Sequence, residues 1–395
     1  MNEVVIVEAV RSAVGRKNGT LATSHPIDTF GRVLAAAVER SGIDSSDVGQ
    51  VFGGCINKVG AQAMNITRTA WLAHGGHIDT GCVTVDAQCG SSQHALNSAA
   101  AAIRAGDLDI AIAGGVENMS RIPIGSDAAA GTAAGLGKPI TRSYRARYEW
   151  ASQFEGAERI AEKYGVSRLD ADEFGLESQT RAAKAWAEGR FDSQIVPLSV
   201  DSVDADGAVT GEQVSFTRDE VPRDTSMEAL AGLKPVARDN GVHTAGTSSQ
   251  IADGASAIVL MSQEAAQRRG LQPLARVVGT TTVGSDPVLM LEGPIPATRK
   301  LLERSGLTID DIDVVEINEA FASVVLAWAK TLGADLARTN PNGGAIALGH
   351  PLGATGTILV AKAVHELVRS GGRYGLITMC CGGGLGTGTL IERLG

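Results

Sequence analysis

The stretch Val83 to Arg104, VTVDAQCGSSQHALNSAAAAIR, decides how this chain is read. The alternating apolar pair Val83 and Val85 predicts a strand, Gln88-Cys89-Gly90 a tight turn, and the small-residue run after it a helix. A thiol at that turn sits where unpaired backbone N–H groups and the helix dipole favour negative charge. Such a field lowers a thiol pKa and makes it a better nucleophile near neutral pH. The plainer reading of Cys89 is a small buried hydrophobe, since free cysteine is among the most buried residue types.

Working outward, 395 residues allow two or three domains or one large duplicated unit. A hydrophobic content of 44% with 20% charged residues fits a soluble protein with a sizeable core. With 49 glycines and only 4% aromatics, backbones must approach closely and helices must pack through small residues. The net charge of −9 gives no footprint for nucleic acid or an anionic membrane. The five cysteines are odd in number and contain no CxxC pair, which argues against a disulfide framework or a zinc site and for a reducing, cytoplasmic setting. The start, MNEVVIVEAVRSAVGR, lacks the order of a signal peptide, and no run of 18 apolar residues is present. His74 and His77 have no third ligand at metal-binding spacing, so no metal is expected.

Strands are predicted at Val4 to Val7, Val48 to Phe52, Ile110 to Ala113, Gly254 to Met261 and Leu274 to Val283. Helices are predicted at Asp28 to Ser41, Asn65 to Ala73 and Ser167 to Glu188, and Gly114 to Ser120 reads as a glycine turn. Residues 121–245 hold most of the long polar loops, with the 167–188 helix as their one regular interruption.

The second half repeats the first. Glu39 to Ile43 and Asp47 to Val51 recur at a constant offset as Glu303 to Leu307 and Asp311 to Val315. Farther on, Cys89 and its helix have a counterpart in His350 and the helix reaching Arg369, and Asp109 to Gly115 is matched by Tyr374 to Cys380. Matches in the same order indicate a duplicated βαβ-rich α/β unit, with a largely parallel sheet covered by helices on both faces. The expected division is 1–120 for the first half, 121–245 for a loop-rich insertion, 246–270 for a return to the first half, and 271–395 for the second. Pseudo-symmetric packing then sets the Cys89 turn opposite the His350 turn.

Four segments carry chemistry: Gln88 to Ser92, Asn318 to Ala322, Gly343 to Gly353, and Cys380 to Gly384. With the opening EAVRSAVG, GGVENMS, TAGTSSQIADGA, GPIPA and NPNGGAIALGHPLGATG, they resemble the thiolase family of acyl-CoA acyltransferases over essentially the whole chain. The resemblance implies a layered α/β/α/β/α core. It implies Cys89 as the acyl-carrying nucleophile and His350 as the base that takes its proton. Family pattern places the acid/base thiol first in Cys-x-Gly-Gly, which selects Cys380 and leaves Cys381 at the variable position, facing the other way along a strand end. Asn318 resembles the family's oxyanion-hole asparagine; read without the family, it caps a helix from Glu319 to Leu332. Glu319 reads as a structural hydrogen-bonder, and the N–H groups of Cys89 and Gly382 as a second oxyanion hole.

The implied reaction is CoA-dependent thiolytic cleavage of a 3-oxoacyl-CoA through an acyl-cysteine. Coenzyme A is a co-substrate rather than a tightly bound cofactor, with Arg223 and Ser249 as its contacts, and a homodimer or homotetramer is implied. Members acting on acetoacetyl-CoA carry His-Met-Gly where this chain reads Ser152-Gln153-Phe154, and GSSQHAL after Cys89 also departs from their form. Both departures favour a longer or bulky acyl group from fatty-acid or steroid breakdown. The rival readings are a biosynthetic acetyl-CoA acetyltransferase, a ketoacyl synthase, and a catalytically silent CoA-binding subunit. The Cys380-Cys-Gly-Gly-Gly end argues against the second, and intact Cys89, His350 and Cys380 against the third.

Overall fold

The computed structural model describes residues 2–204 and 208–395. The first half supplies β1 (Val4–Ser12), α1 (Pro26–Ser41), β2 (Gln50–Gly54), α2 (Ile66–Ala73), β3 (Gly81–Val85), α3 (Ser91–Ala105) and β4 (Ile110–Asn118). After the insertion the chain returns as β5 (Ala252–Ser262). The second half supplies β6 (Ala275–Gly284), α4 (Pro294–Ser305), β7 (Val314–Ile317), α5 (Ala322–Leu332), α6 (Thr355–Ser370), β8 (Tyr374–Cys381) and β9 (Leu385–Arg393).

These strands run in the order β7-β8-β9-β6-β1-β5-β4-β2-β3. Among the described residues the two half-sheets meet at β1 and β6, through the pairs Val5↔Arg276 and Ile6↔Ala275. The sheet is mixed, not largely parallel: β2 pairs in parallel with β3 and β4, and β7 with β8, whereas β1, β5, β6 and β9 pair antiparallel. The crossover helices, α1 and α4 among them, join strands that point the same way; β5, set between β1 and β4, and β9, set between β6 and β8, run the other way and give the antiparallel pairs within each half.

Helices α3 and α6 each pack on strands of both halves, α1 and α2 cover the first half, and α4 covers the second. This is the five-layer α/β/α/β/α arrangement. Close contact in the middle layer depends on missing side chains. A Cβ on Gly356 of α6 would lie 2.3 Å from the Gln93 backbone nitrogen of α3. Gln93 also ties α3 to the second half, donating to the Ile377 carbonyl at 3.0 Å and accepting from Thr387 Oγ1 at 2.6 Å.

Three further expectations are corrected. Gly114 to Asn118 is strand rather than turn, and its glycines serve close approach: a Cβ on Gly115 would sit 2.0 Å from the Gly353 carbonyl oxygen. The insertion holds more regular structure than one helix, adding helices at Ser126–Ala133, Gln153–Tyr164 and Met227–Ala231 beside Arg168–Ala187, and the paired strands Leu198–Val203 and Val209–Phe216. The small and polar residues of these elements mask their periodicity. Finally, α5 begins at Ala322, so Asn318 caps no helix: its N–H instead donates to the Thr378 carbonyl at 3.1 Å, continuing the β7–β8 ladder.

Candidate active site

The Cys89 turn is built by local hydrogen bonds. Asp86 Oδ1 accepts from the Gln88 N–H at 2.9 Å, and Ser91 Oγ accepts from the Ala87 N–H at 3.0 Å while donating to the Gln88 carbonyl at 2.5 Å. Gln88 is held at a φ of 53°, a left-handed conformation that costs a non-glycine residue about 1–3 kcal/mol. Helix α3 starts two residues past Cys89, which leaves the sulfur at the helix mouth. The expected lowering of its pKa is not the outcome. Burial pushes the Cys89 thiol up to about 11, against the opposing pull of the Gly382 and Cys89 backbone N–H groups. Cys89 is therefore a thiol at neutral pH, and its use as a nucleophile requires a base.

His350 lies in the loop before α6 and is 4% exposed. Its Nδ1 is 2.6 Å from Thr355 Oγ1, whose hydroxyl donates onward to the Pro351 carbonyl at 2.9 Å. The hydroxyl proton is thus committed, so Nδ1 carries the imidazole proton and Nε2 the lone pair. Asn318 Nδ2 donates to that Nε2 at 3.3 Å, while the buried Asn318 Oδ1 has no partner. Burial pulls the His350 pKa down to about 4, which keeps the ring neutral and able to accept a proton.

Cys380 and Cys381 end β8 on opposite faces. Cys380, 1% exposed, packs with Met290, Ala320 and Phe321. Cys381 lies beneath the Cys89 turn, where a Cβ on Gly90 would meet its sulfur at 2.6 Å. Burial raises both thiols far above the ordinary range, and an ionised Cys89 would raise each further. Gly382 follows them and turns its N–H toward the Cys89 sulfur, and Gly383 and Gly384 adopt left-handed φ values of 79° and 77°.

Glu319 is buried and structural. It accepts from Ser178 Oγ at 2.6 Å, Asn340 Nδ2 at 2.9 Å and the Ile346 N–H at 3.2 Å, fixing the Gly343–Leu348 backbone that leads to His350. Ser249 is half-buried behind this region, its N–H donating to the Ala320 carbonyl at 2.9 Å. Arg223 is exposed, with its guanidinium on the Ala245 carbonyl at 3.3 Å.

A cavity of about 700 Å3 opens onto Cys89 and Gly382. Its apolar wall includes Leu136, Ile140 and Trp150 from the insertion, with Met290 and Leu352 from the second half. Ser152 and Gln153, the departures noted above, also line it. His350, Cys380, Arg223 and Ser249 do not. Sequence reasoning missed the wall residues and the role of Thr355. The only signal for the former was isolated large apolar residues among glycine and alanine; for the latter, a hydroxyl five residues after the histidine.

The matches to known proteins follow the same outline. A family model described as the thiolase N-terminal domain matches residues 4–264, and one described as the thiolase C-terminal domain matches residues 271–393. The chain belongs to the thiolase family. It is 47% identical to a steroid 3-ketoacyl-CoA thiolase of Mycobacterium tuberculosis, covering 100% of this chain and 95% of that protein. A β-ketoadipyl-CoA thiolase of Pseudomonas aeruginosa is 43% identical, with 99% of each covered. The crystal structure of the Bacillus anthracis acetyl-CoA acetyltransferase superposes with a TM-score of 0.87 at 38% identity, covering 100% of this chain and 99% of that one. This thiolase is an acyltransferase of acyl-CoA chemistry. Among its described residues no helix is long and apolar enough to cross a membrane, and no group of three or more His, Cys, Asp or Glu is placed to hold a metal ion.

Proposed function

We propose that this thiolase cleaves the C2–C3 bond of a longer or bulky 3-oxoacyl-CoA, with Cys89, His350 and Cys380 carrying the protons and the acyl group. His350 Nε2 takes the Cys89 proton and the thiolate attacks C3. The N–H groups of Cys89 and Gly382 hold the oxygen of the tetrahedral adduct. As C2–C3 breaks, the electron pair passes to the acetyl-CoA enolate, whose oxygen is met by the imidazolium and by the group that Asn318 positions. Cys380 protonates C2 and acetyl-CoA departs. Incoming CoA gives its thiol proton to the Cys380 thiolate and attacks acyl-Cys89, and the released Cys89 sulfur recovers its proton from His350. Protons and electrons balance over the cycle, and two half-reactions share one covalent intermediate.

Two observations support this most directly: His350 is neutral and Nδ1-protonated, and the Cys89 sulfur meets the N–H of Gly382, one residue past the two thiols of β8. The apolar cavity at Cys89 supports the bulky acyl group, and its size suits a large ligand. Ser249 and Arg223, within the insertion and return at 121–270, are proposed as CoA contacts on family resemblance, and neither lines that cavity. A homo-oligomer is proposed on family resemblance; the exposed Val83 on edge strand β3 offers one pairing surface. The test is a panel of 3-oxoacyl-CoA substrates followed by mass spectrometry of the group trapped on Cys89. Labelling of Cys89 and its loss in Cys89→Ala are expected. Faster turnover of acetoacetyl-CoA than of every longer or ring-bearing substrate would overturn the acyl assignment.

A further inference from the structure

Among the buried carboxylates that the reading of the site does not use, Glu117 stands between the two halves. Glu117 lies in β4 and is 0% exposed. Its Oε2 accepts from the Ile56 N–H and the Gly353 N–H, both at 3.0 Å. Its Oε1 accepts from Gln62 Nε2 at 2.7 Å, the Asn57 N–H at 3.2 Å and Asn57 Nδ2 at 3.4 Å. Every partner is a donor, so the bonds favour the ionised carboxylate and offer no acceptor for a proton, although burial raises its pKa above the ordinary carboxylate value.

The partners come from two places far apart in sequence. Ile56, Asn57 and Gln62 belong to the loop after β2; Gly353 lies three residues past His350, in the other half. Ile56, Asn57 and Leu352 also line the cavity at Cys89. The loop fits because it lacks bulk: a Cβ on Gly353 would stand 2.5 Å from the Val116 carbonyl oxygen and 2.8 Å from Glu117 Oε2. The carboxylate also bears on the nucleophile, since its charge opposes ionisation of Cys89.

We propose that Glu117 is a positioning residue, whose carboxylate pins the Leu352-Gly353 backbone to the cavity wall and so fixes His350 relative to Cys89. It touches neither substrate nor reacting atoms. The proposal rests on His350 as the base for Cys89. Misplacing such a base by about 1 Å costs on the order of 100-fold in rate. An amide in place of the carboxylate must turn an NH2 group toward donors, which releases Gly353 or the Ile56–Asn57 backbone without changing shape.

The test is a double-mutant cycle in the full-length enzyme, reading kcat, KM and the rate of Cys89 alkylation by iodoacetamide. Glu117→Gln is expected to lower kcat by about 10- to 100-fold with KM within about threefold, and to slow alkylation. In a His350→Ala background the same change should cost less than about threefold more, because the group it positions is gone. Glu117→Asp, which keeps the charge, should recover part of the rate. A Glu117→Gln enzyme with normal kcat and only a lowered melting temperature would overturn the proposal, as would a full additional loss in the His350→Ala background. Normal turnover by His350→Ala alone would instead remove the reading of the site on which the proposal rests. Should Glu117→Gln fail to fold, Glu117→Asp carries the same cycle.

Discussion

Cys380 and Cys381 are neighbours in sequence with opposite surroundings. One packs beside Phe321 and Met290, the other under Gly90, because successive strand residues face opposite ways. Cys380→Ala is expected to abolish proton transfer to the departing carbanion, while Cys381→Ala keeps most of kcat and loses about 1–2 kcal/mol of stability through lost packing. Turnover and urea unfolding of the two variants separate these outcomes. His350 makes a second prediction at this scale. Its ring resists protonation down to about pH 4 when folded but takes a proton near 6.5 when unfolded. Below 6.5 the unfolded state binds the extra proton, so the stability held above that pH is lost as pH falls toward 4. The loss from this one group is on the order of 3 kcal/mol. The urea midpoint should fall over that window, and His350→Asn should flatten the fall; His243, pulled down to about 4 chiefly by burial, contributes a share that remains.

Among the elements, α6 is the one that joins charge to position. Lys362 on it is buried and places Nζ 2.6 Å from both Glu316 Oε2 on β7 and the Gly343 carbonyl. Glu316 Oε1 has no partner, and burial pushes the Glu316 carboxyl up to about 7. A buried ion pair is weak evidence of net stabilisation, but breaking it strands a charge. Lys362→Met is therefore expected to destabilise by about 3–5 kcal/mol, and adding Glu316→Leu should restore much of that. Equilibrium denaturation of the single and double variants measures both.

For the molecule as a whole, the duplicated halves supply the thiols and the imidazole, and the insertion supplies one wall of the cavity. Trp150 is half exposed on that wall. Trp150→Ala is expected to lower kcat/KM for a ring-bearing 3-oxoacyl-CoA by about tenfold and to leave a short-chain substrate within about twofold, as steady-state kinetics will show. Loops carried on a rigid scaffold are where such specificity is set.

Much was legible from sequence because it is local. Strand, turn and helix around Cys89 follow from residue order, and so does the duplication: α3 at 91–105 recurs as α6 at 355–370, and β2 from Gln50 as β7 from Val314. Motif spacing sufficed to name the family. What depended on distant partners was not legible. The glycines of Gly114-Gly115 looked like a turn because the Gly353 backbone that requires them lies in the other half. Helix α5 started later than expected because residue 318 is held by β8. The helix mouth alone argued for a lowered Cys89 pKa, whereas desolvation in the folded site raises it. The neutral His350, its tautomer, and the carboxylate of Glu117 spanning both halves exist only once the halves close, since each is set by desolvation and by contacts between residues remote in sequence.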